Sequence, residues 1–350
     1  MSYRAQLKFR LFQGAALIIP RTPRWLAHPI AVGAATLVWA LAGGKRRHVE
    51  ANLRHVPTLA GDPQRLRWAA RGVFIHSALN YLDFFQGQTY TIAELVARWP
   101  DDAIEGFDQI ATSLAQGRGL IVFSAHLGDF EAAVSRLGAA GYRALIPAEH
   151  LSPEQLFQLA CTLRRHHNVR LLAADSRETL REMLAALRRN EIILLGFDRY
   201  IHGESARFPF FGAPARLPTA SVIFALRHGS PVMFMNSWRV NWRQSRGVCT
   251  PLDLTTADQR AAVGVAPGRL NRVSDTAGEP INPRPMSGAV IATQANSSPT
   301  SQLNPHSEPR IERAMRIVIS ALERQIADHP EQWVSALSHI WDDDPSPSKG

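Results

Sequence analysis

The strongest constraint on this chain is a rhythm. Between residues 101 and 258 short apolar runs recur, and stretches of helical spacing separate them. The runs are Leu120–Phe123, Tyr142–Ile146, Val169–Leu172, Ile192–Phe197 and Pro231–Trp238. Leu120–Phe123 and Ile192–Phe197 hold no polar side chain and are short, so they read as buried strands, and the other three read as strands too. The helical stretches are Phe107–Gln116, Glu131–Ala140, Ser152 to about His167, Arg177–Arg189 and Thr219–His228. Strand and helix in turn predict an α/β fold. Phe208 to Pro218 holds three prolines and reads as a loop.

One junction in this rhythm carries chemistry. After the run Leu120–Phe123, the small residues Ser124 and Ala125 let the chain leave the sheet, and His126 falls just beyond the strand end. Gly128 and Asp129 suit a turn and a helix start. Glu131 then sits in the first helical turn, at the positive end of the dipole. A histidine at a strand's carboxyl end with a carboxylate five residues on fits a general base and its orienting partner. On residues alone, chance proximity competes with that reading. So does a metal site built from His126, Asp129 and Glu131, which lacks a further ligand at the expected spacing. Asp198 and Arg199 follow the run Ile192–Phe197 and so open on the same sheet edge, where ligands bind in such folds. A turn-capping Asp is the alternative. Glu149 after a strand, and Arg164 near a helix end, read equally well as surface charges.

Composition narrows the partners. The 350 residues carry a net charge of +9, with Arg far outnumbering Lys. That suits an anionic partner. Nucleic-acid binding needs basic residues interleaved with exposed aromatics, whereas here the aromatics stand within apolar faces, so no nucleic acid is expected. Cys161 and Cys249 form neither a zinc spacing nor a disulfide framework. Neither a Walker phosphate loop nor Gly-x-Gly-x-x-Gly is present.

The ends and one internal stretch depart from the rhythm. Residues 1–44 hold two apolar segments, Leu11–Ile19 and Trp25–Gly44, broken by Pro20, Pro23 and Pro29 and flanked by Arg4, Lys8, Arg10 and Lys45–Arg47. They are expected to be membrane-associating helices, either spanning or lying on the bilayer, against the alternative of a buried pair. Residues 259–309 contain seven prolines and no Phe, Trp or Tyr, and read as a disordered insertion. A helix resumes from Pro309, and 343–350 form a flexible tail. The main domain is therefore expected over 45–258 and 310–342.

Five blocks in order resemble a known family. Ser124-Ala-His-Leu-Gly-Asp-Phe-Glu131 resembles the His-x4-Asp/Glu block of the lysophospholipid acyltransferase superfamily. The branch it resembles is that of the bacterial lipid A late (lauroyl/myristoyl) acyltransferases and the phosphatidylinositol mannoside acyltransferases. Lys45-Arg-Arg-His-Val-Glu-Ala-Asn-Leu53, the segment from Leu187 to Arg199, Phe208 to Thr219, and Pro330-Glu-Gln-Trp333 resemble its other blocks. The resemblance implies a glycerolipid acyltransferase-like fold, a central mixed sheet flanked by helices. It implies transfer of a fatty acyl chain from acyl carrier protein or coenzyme A to a hydroxyl of a membrane glycolipid, with the thioester as co-substrate and no bound cofactor or metal. His126 would take the proton from the acceptor and Glu131 would orient and charge-stabilise the imidazole. Glu149, Arg164, Asp198 and Arg199 would bind polar parts of the substrates, and Phe210, Phe211 and Gly212 would shape a groove. The expected location is the cytoplasmic face of the plasma (inner) membrane. Asn190 stands where the family usually has Gly, and Arg199 leans toward the mannoside branch. A non-catalytic lipid-binding protein is the second reading. A thioesterase or hydrolase ranks below it for want of a Gly-x-Ser-x-Gly elbow.

Overall fold

The computed structural model describes residues 3–164, 168–200, 203–255 and 308–341. The tail and almost all of the insertion expected from sequence lie outside these. The insertion's last two residues, Glu308 and Pro309, instead open a long helix.

A mixed sheet of seven described strands forms the centre: β1 (Ile104–Glu105), β2 (Leu120–Ser124), β3 (Ala144–Ala148), β4 (Val169–Ala173), β5 (Ile192–Gly196), β8 (Val232–Arg239) and β9 (Ser245–Leu252). Their order is β1-β9-β8-β2-β5-β3-β4, parallel throughout except where β8 meets β9. Of the four runs from Leu120 to Phe197, those of β2, β5 and β3 become inner strands, whereas that of β4 becomes an edge strand with Arg170 exposed.

The helices that follow these strands cover the two faces. The helix α7 (Phe130–Ala139) follows β2 and buries Leu137 against Leu120, Val122 and Met233. The helices α9 (Arg177–Arg188) and α10 (Thr219–His228) join the larger core on the opposite face, with Phe123, Leu195 and Phe234. The helix that follows β3, α8 (Glu154–Arg164), stays near the α7 side. The loops after β2 and β5 therefore diverge to opposite faces, and a crevice opens between these neighbouring strands.

The proline-rich segment is not a loop. It forms a two-stranded ribbon, β6 (Ser205–Phe210) with β7 (Ala213–Pro218), closed by Phe211 and Gly212 at φ of 48° and 77°. Two positive φ values in a two-residue turn match the twist of a hairpin, and a ribbon of two edge strands tolerates prolines. Asn190 also has a positive φ, 60°, and its Oδ1 accepts from the Gly119 amide at 2.9 Å. Asn reaches this conformation at lower cost than most residues, which accounts for its place where a glycine is usual.

Four helices precede the sheet: α1 (Tyr3–Ile18), α2 (Arg24–Leu41), α3 (Gly43–Arg54) and α4 (Pro63–Gln86). Next comes α5 (Ile92–Arg98), then α6 (Asp108–Leu114). Proline at the start of α4 and the Asp62 carboxylate, which accepts from the amides of Gln64 and Arg65, fix that helix's beginning. The helix α2 runs antiparallel along α4, with Arg24 near Asp83 and Thr36 near Arg71. No single described helix is long and apolar enough to cross a membrane. The pair α2 and α3 passes that test only jointly, bends by 94°, and buries Val49 and Leu53 of α3 in the core.

The last helix, α11 (Glu308–Asp328), leads to two 3₁₀ turns, Pro330–Gln332 and Val334–Leu337. The buried Asn52 on α3 holds this terminus by donating to the carbonyls of Ala336 and Ser338 at 2.8 and 2.9 Å.

Candidate active site

The register between β2 and β5 aligns Ser124 with Gly196, and the Phe197 amide donates to the Ser124 carbonyl at 2.9 Å. Two residues beyond that pair stand His126 and Asp198. The imidazole Nδ1 lies 2.7 Å from Asp198 Oδ1, and the His126 amide donates to Oδ2 at 2.9 Å. A carboxylate can only accept here, so Nδ1 carries a proton and Nε2 is the ring nitrogen left to exchange one. Gly196 leaves space for the ring: a Cβ there would come within 3.0 Å of His126 Cε1.

Asp198 is fully buried, and burial alone pushes its pKa up. The charge of His126 and the bonds from its ring and amide outweigh that and hold the carboxyl at about 2. The indole Nε1 of Trp333 donates to Oδ2 at 3.0 Å. Trp333 arrives there because the C-terminal segment pairs with the histidine turn. Leu127 and Trp333 form an antiparallel bridge, flanked by Val334 N to His126 O at 2.8 Å and Gly128 N to Gln332 O at 3.1 Å. Thus the Pro-Glu-Gln-Trp block, the histidine block and the Asp198 block meet at the Asp198 carboxylate, and Asn52 holds the segment that follows Trp333.

The sequence reading assigned Glu131 to the imidazole, and the structure differs. Glu131 receives Arg164, with Nε at 3.0 Å and a second bond from Nη2. The physical reason lies in the helix start. Asp129, Phe130 and Glu131 turn into α7, and Phe130 stands edge-on to the His126 ring at 5.2 Å. Asp129 faces Arg98 at 3.1 Å and Ser245. His126, Asp129 and Glu131 therefore face three different partners and do not converge on one point.

His126, Glu131, Glu149, Arg164 and Arg199 line one cavity of about 760 Å³. Arg199 donates to Glu149 at 3.2 Å at its rim. Much of the wall is apolar, including Phe84, Val134, Ile146, Leu156, Met183 and Met235. Phe210, Phe211 and Gly212 do not line it. Phe210 is buried and stacks on Trp341 at 5.5 Å, with Trp333 edge-on at 5.9 Å, so it supports the indole rather than a groove.

A buried ionic cluster under the histidine turn escaped the sequence reading. Asp83 on α4 takes two bonds from Arg98, both 2.9 Å, one from Arg239 at 2.7 Å and one from the Tyr90 hydroxyl at 2.9 Å. Burial pushes the Asp83 carboxyl up, but Arg98, Arg239 and Arg24 hold it well below the usual range. Arg239 and Asn80 both donate to the Gly128 carbonyl, at 2.7 and 2.8 Å. Asn236 accepts from the Ala125 amide at 3.0 Å. The available signal was a carboxylate inside the apolar run Tyr81-Leu-Asp-Phe-Phe85, on the stripe of α4 that must be buried.

The sequence profile of the bacterial lipid A biosynthesis acyltransferases matches residues 7–261. The chain belongs to that family. Two phosphatidylinositol mannoside acyltransferases are similar to it, from Mycobacterium tuberculosis strains CDC 1551 / Oshkosh and ATCC 25618 / H37Rv. Each is 27% identical over 168 residues, which is 47% of this chain and 53% of the relative. The chain thus spans about half the length of the curated relatives it matches.

Proposed function

We propose that this protein transfers a fatty acyl group from an acyl thioester, on acyl carrier protein or coenzyme A, to a sugar hydroxyl of a membrane glycolipid. The observation that carries the reading is the imidazole of His126, held through Nδ1 by a buried carboxylate, on the wall of a large and mostly apolar cavity. Nε2 takes the acceptor's hydroxyl proton while that oxygen attacks the thioester carbonyl. A C–O bond forms, the tetrahedral intermediate collapses, and the C–S bond breaks. The leaving thiolate recovers the proton from the imidazolium, which Asp198 stabilises meanwhile. The substrate supplies the nucleophile, so the chain needs no serine elbow of its own. Glu131 with Arg164, and Glu149 with Arg199, are charged pairs on the same wall and serve to place polar groups of the two substrates.

The names of the relatives support a glycosylated lipid as acceptor. A membrane-lying N-terminus fits that acceptor. From Trp25 to Gly44 the chain carries no Asp, Glu, Lys or Arg, and the outward face of α2 presents Trp25, Ile30, Leu37, Val38 and Leu41. Leu41 is 76% exposed. A contiguous apolar helix face of this kind suits the interfacial plane of a bilayer, here the cytoplasmic leaflet of the plasma (inner) membrane.

The test is transfer of labelled acyl thioester into a total lipid extract by wild type and His126→Ala. A loss on the order of 10²–10⁴-fold is expected for removal of a positioned base. Equal transfer by the variant would remove His126 from the mechanism. Lipid binding by both proteins with no turnover in either would favour a non-catalytic protein.

A further inference from the structure

The turn joining β8 to β9 is built to be rigid and is apolar at its tip. Asn241 Oδ1 accepts from the amides of Arg243 and Gln244 at 2.8 and 3.0 Å, and the Val240 and Asn241 amides both donate to the Gln244 carbonyl. A polar turn of this kind ordinarily carries polar side chains. Here it exposes Val240, at 54%, and Trp242, at 37%. The Arg243 guanidinium lies 4.3 Å over the Trp242 ring. From Trp238 to Leu252 there is no acidic residue, and Arg243 and Arg246 are both exposed.

Two placements give the tip meaning. First, β8 runs parallel to β2, so the turn leaves the same edge of the sheet as His126. Second, the Trp242 ring lies 6.2 Å from that of His28 on α2, beside the outward-facing Trp25, which is 68% exposed. The tip therefore packs beside the N-terminal end of α2, on the active-site edge of the sheet. Arg239, at the end of β8, holds the Gly128 carbonyl, which ties the tip firmly to the histidine turn.

We infer that the β8–β9 tip is a second membrane-contact element, with Trp242 seated at the headgroup level and Arg243 and Arg246 on anionic lipid phosphates. An indole is amphipathic and partitions to the interface, and each arginine gains from the negative surface of an anionic leaflet. The inference rests on the reading that α2 faces a bilayer and adds a second anchor, distant in sequence. Together the two would hold the edge that bears His126 against the leaflet from which a lipid acceptor comes.

The test is co-sedimentation of the full chain with vesicles of phosphatidylcholine alone and of phosphatidylcholine with phosphatidylglycerol. The double variant Trp242→Ser/Arg243→Gln is expected to lose on the order of tenfold in partitioning to the anionic vesicles. Arg243→Lys alone should bind nearly as wild type, since the charge is kept. Acyl transfer to a detergent-solubilised acceptor should be the same in all, with unchanged thermal unfolding. Wild-type partitioning by the double variant overturns the inference. So does a loss of transfer in detergent, which would assign the tip to the donor protein or another partner. Leu37→Ser/Leu41→Ser on α2 tests the underlying reading separately. If that variant binds both vesicles normally, the helix reading falls and the tip is no second anchor to it; if it loses binding while the tip variant does not, the helix reading stands and the tip inference falls.

Discussion

His126 and Asp198 each stand two residues past a register pair, Ser124 and Gly196, on neighbouring parallel strands. Their loops leave for opposite faces, so the two side chains meet in the crevice between them, Nδ1 to Oδ1 at 2.7 Å. The register of the sheet, rather than closeness in sequence, chooses the partner of the histidine.

Asp198→Asn and Glu131→Gln should therefore differ. An amide at position 198 can present its NH₂ group to Nδ1, which favours the wrong tautomer and takes the lone pair from Nε2. Its kcat should fall on the order of 10²–10⁴-fold. Glu131→Gln frees Arg164 and should act mainly on KM, because Glu131 does not touch the imidazole. Initial rates across a range of acceptor concentration measure both. The reverse pattern would restore Glu131 as the partner.

This pair marks how far the sequence could be read. The runs of β2 and β5 were legible as strands because burial on both faces leaves an uninterrupted apolar trace, and His126 was visible as the residue that leaves the sheet. Asp198 could be placed on the right edge but not against the ring, since that needs strand order, and β5 lies between β2 and β3 only through tertiary packing. The ribbon of β6 and β7 was hidden because Pro209 and Pro214 argue against a strand, yet they face each other in an isolated hairpin. Asp83 and Arg98 were hidden for a similar reason. A charge pattern does not reveal that two distant charges are buried together.

Trp333→Phe isolates the second support of Asp198. The phenyl ring keeps most of the packing on Phe210 and Trp341 and removes one N–H from a buried carboxylate. A hydrogen bond to a charged group is worth about 1.5–3 kcal/mol, so a fall in kcat of roughly 10- to 100-fold is expected if that support is needed for the imidazolium. Because Asp198 is then less well held as an anion, the pH–rate profile should move as well. A variant with a lowered Tm but unchanged kcat and pH profile would make Trp333 a packing residue alone.

Gly128 and Gly212 give a contrast in backbone freedom. Both have positive φ, +61° and +77°. A Cβ on Gly128 would lie 2.1 Å from the Ser237 carbonyl oxygen, whereas one on Gly212 meets nothing within 4 Å. Gly212→Ala should cost only the left-handed conformation, about 1 kcal/mol. Gly128→Ala adds a backbone clash and must displace the histidine turn, at about 3 kcal/mol or more. Urea unfolding of the two variants measures the difference, and equal losses would sink the argument.

His76 makes stability depend on pH. Burial, then the charge of Arg239, pushes its pKa from the ordinary 6.5 down to about 3. Arg239 Nη1 lies 3.3 Å from Nδ1, so the folded protein needs this ring neutral. His28 and His329 also face it and disfavour its charge. The sign follows. Between 6.5 and about 3 the unfolded chain binds a proton at this site and the folded chain does not, so stability is full above 6.5 and falls as pH drops through that window. The slope from this group is at most about 1.4 kcal/mol per pH unit. His76→Gln keeps an acceptor for Arg239 and cannot titrate. Its unfolding free energy, measured by urea titration at a series of pH values, should fall less steeply on acidification than that of wild type. If the two curves run parallel below pH 6.5, His76 is not the group that senses acid.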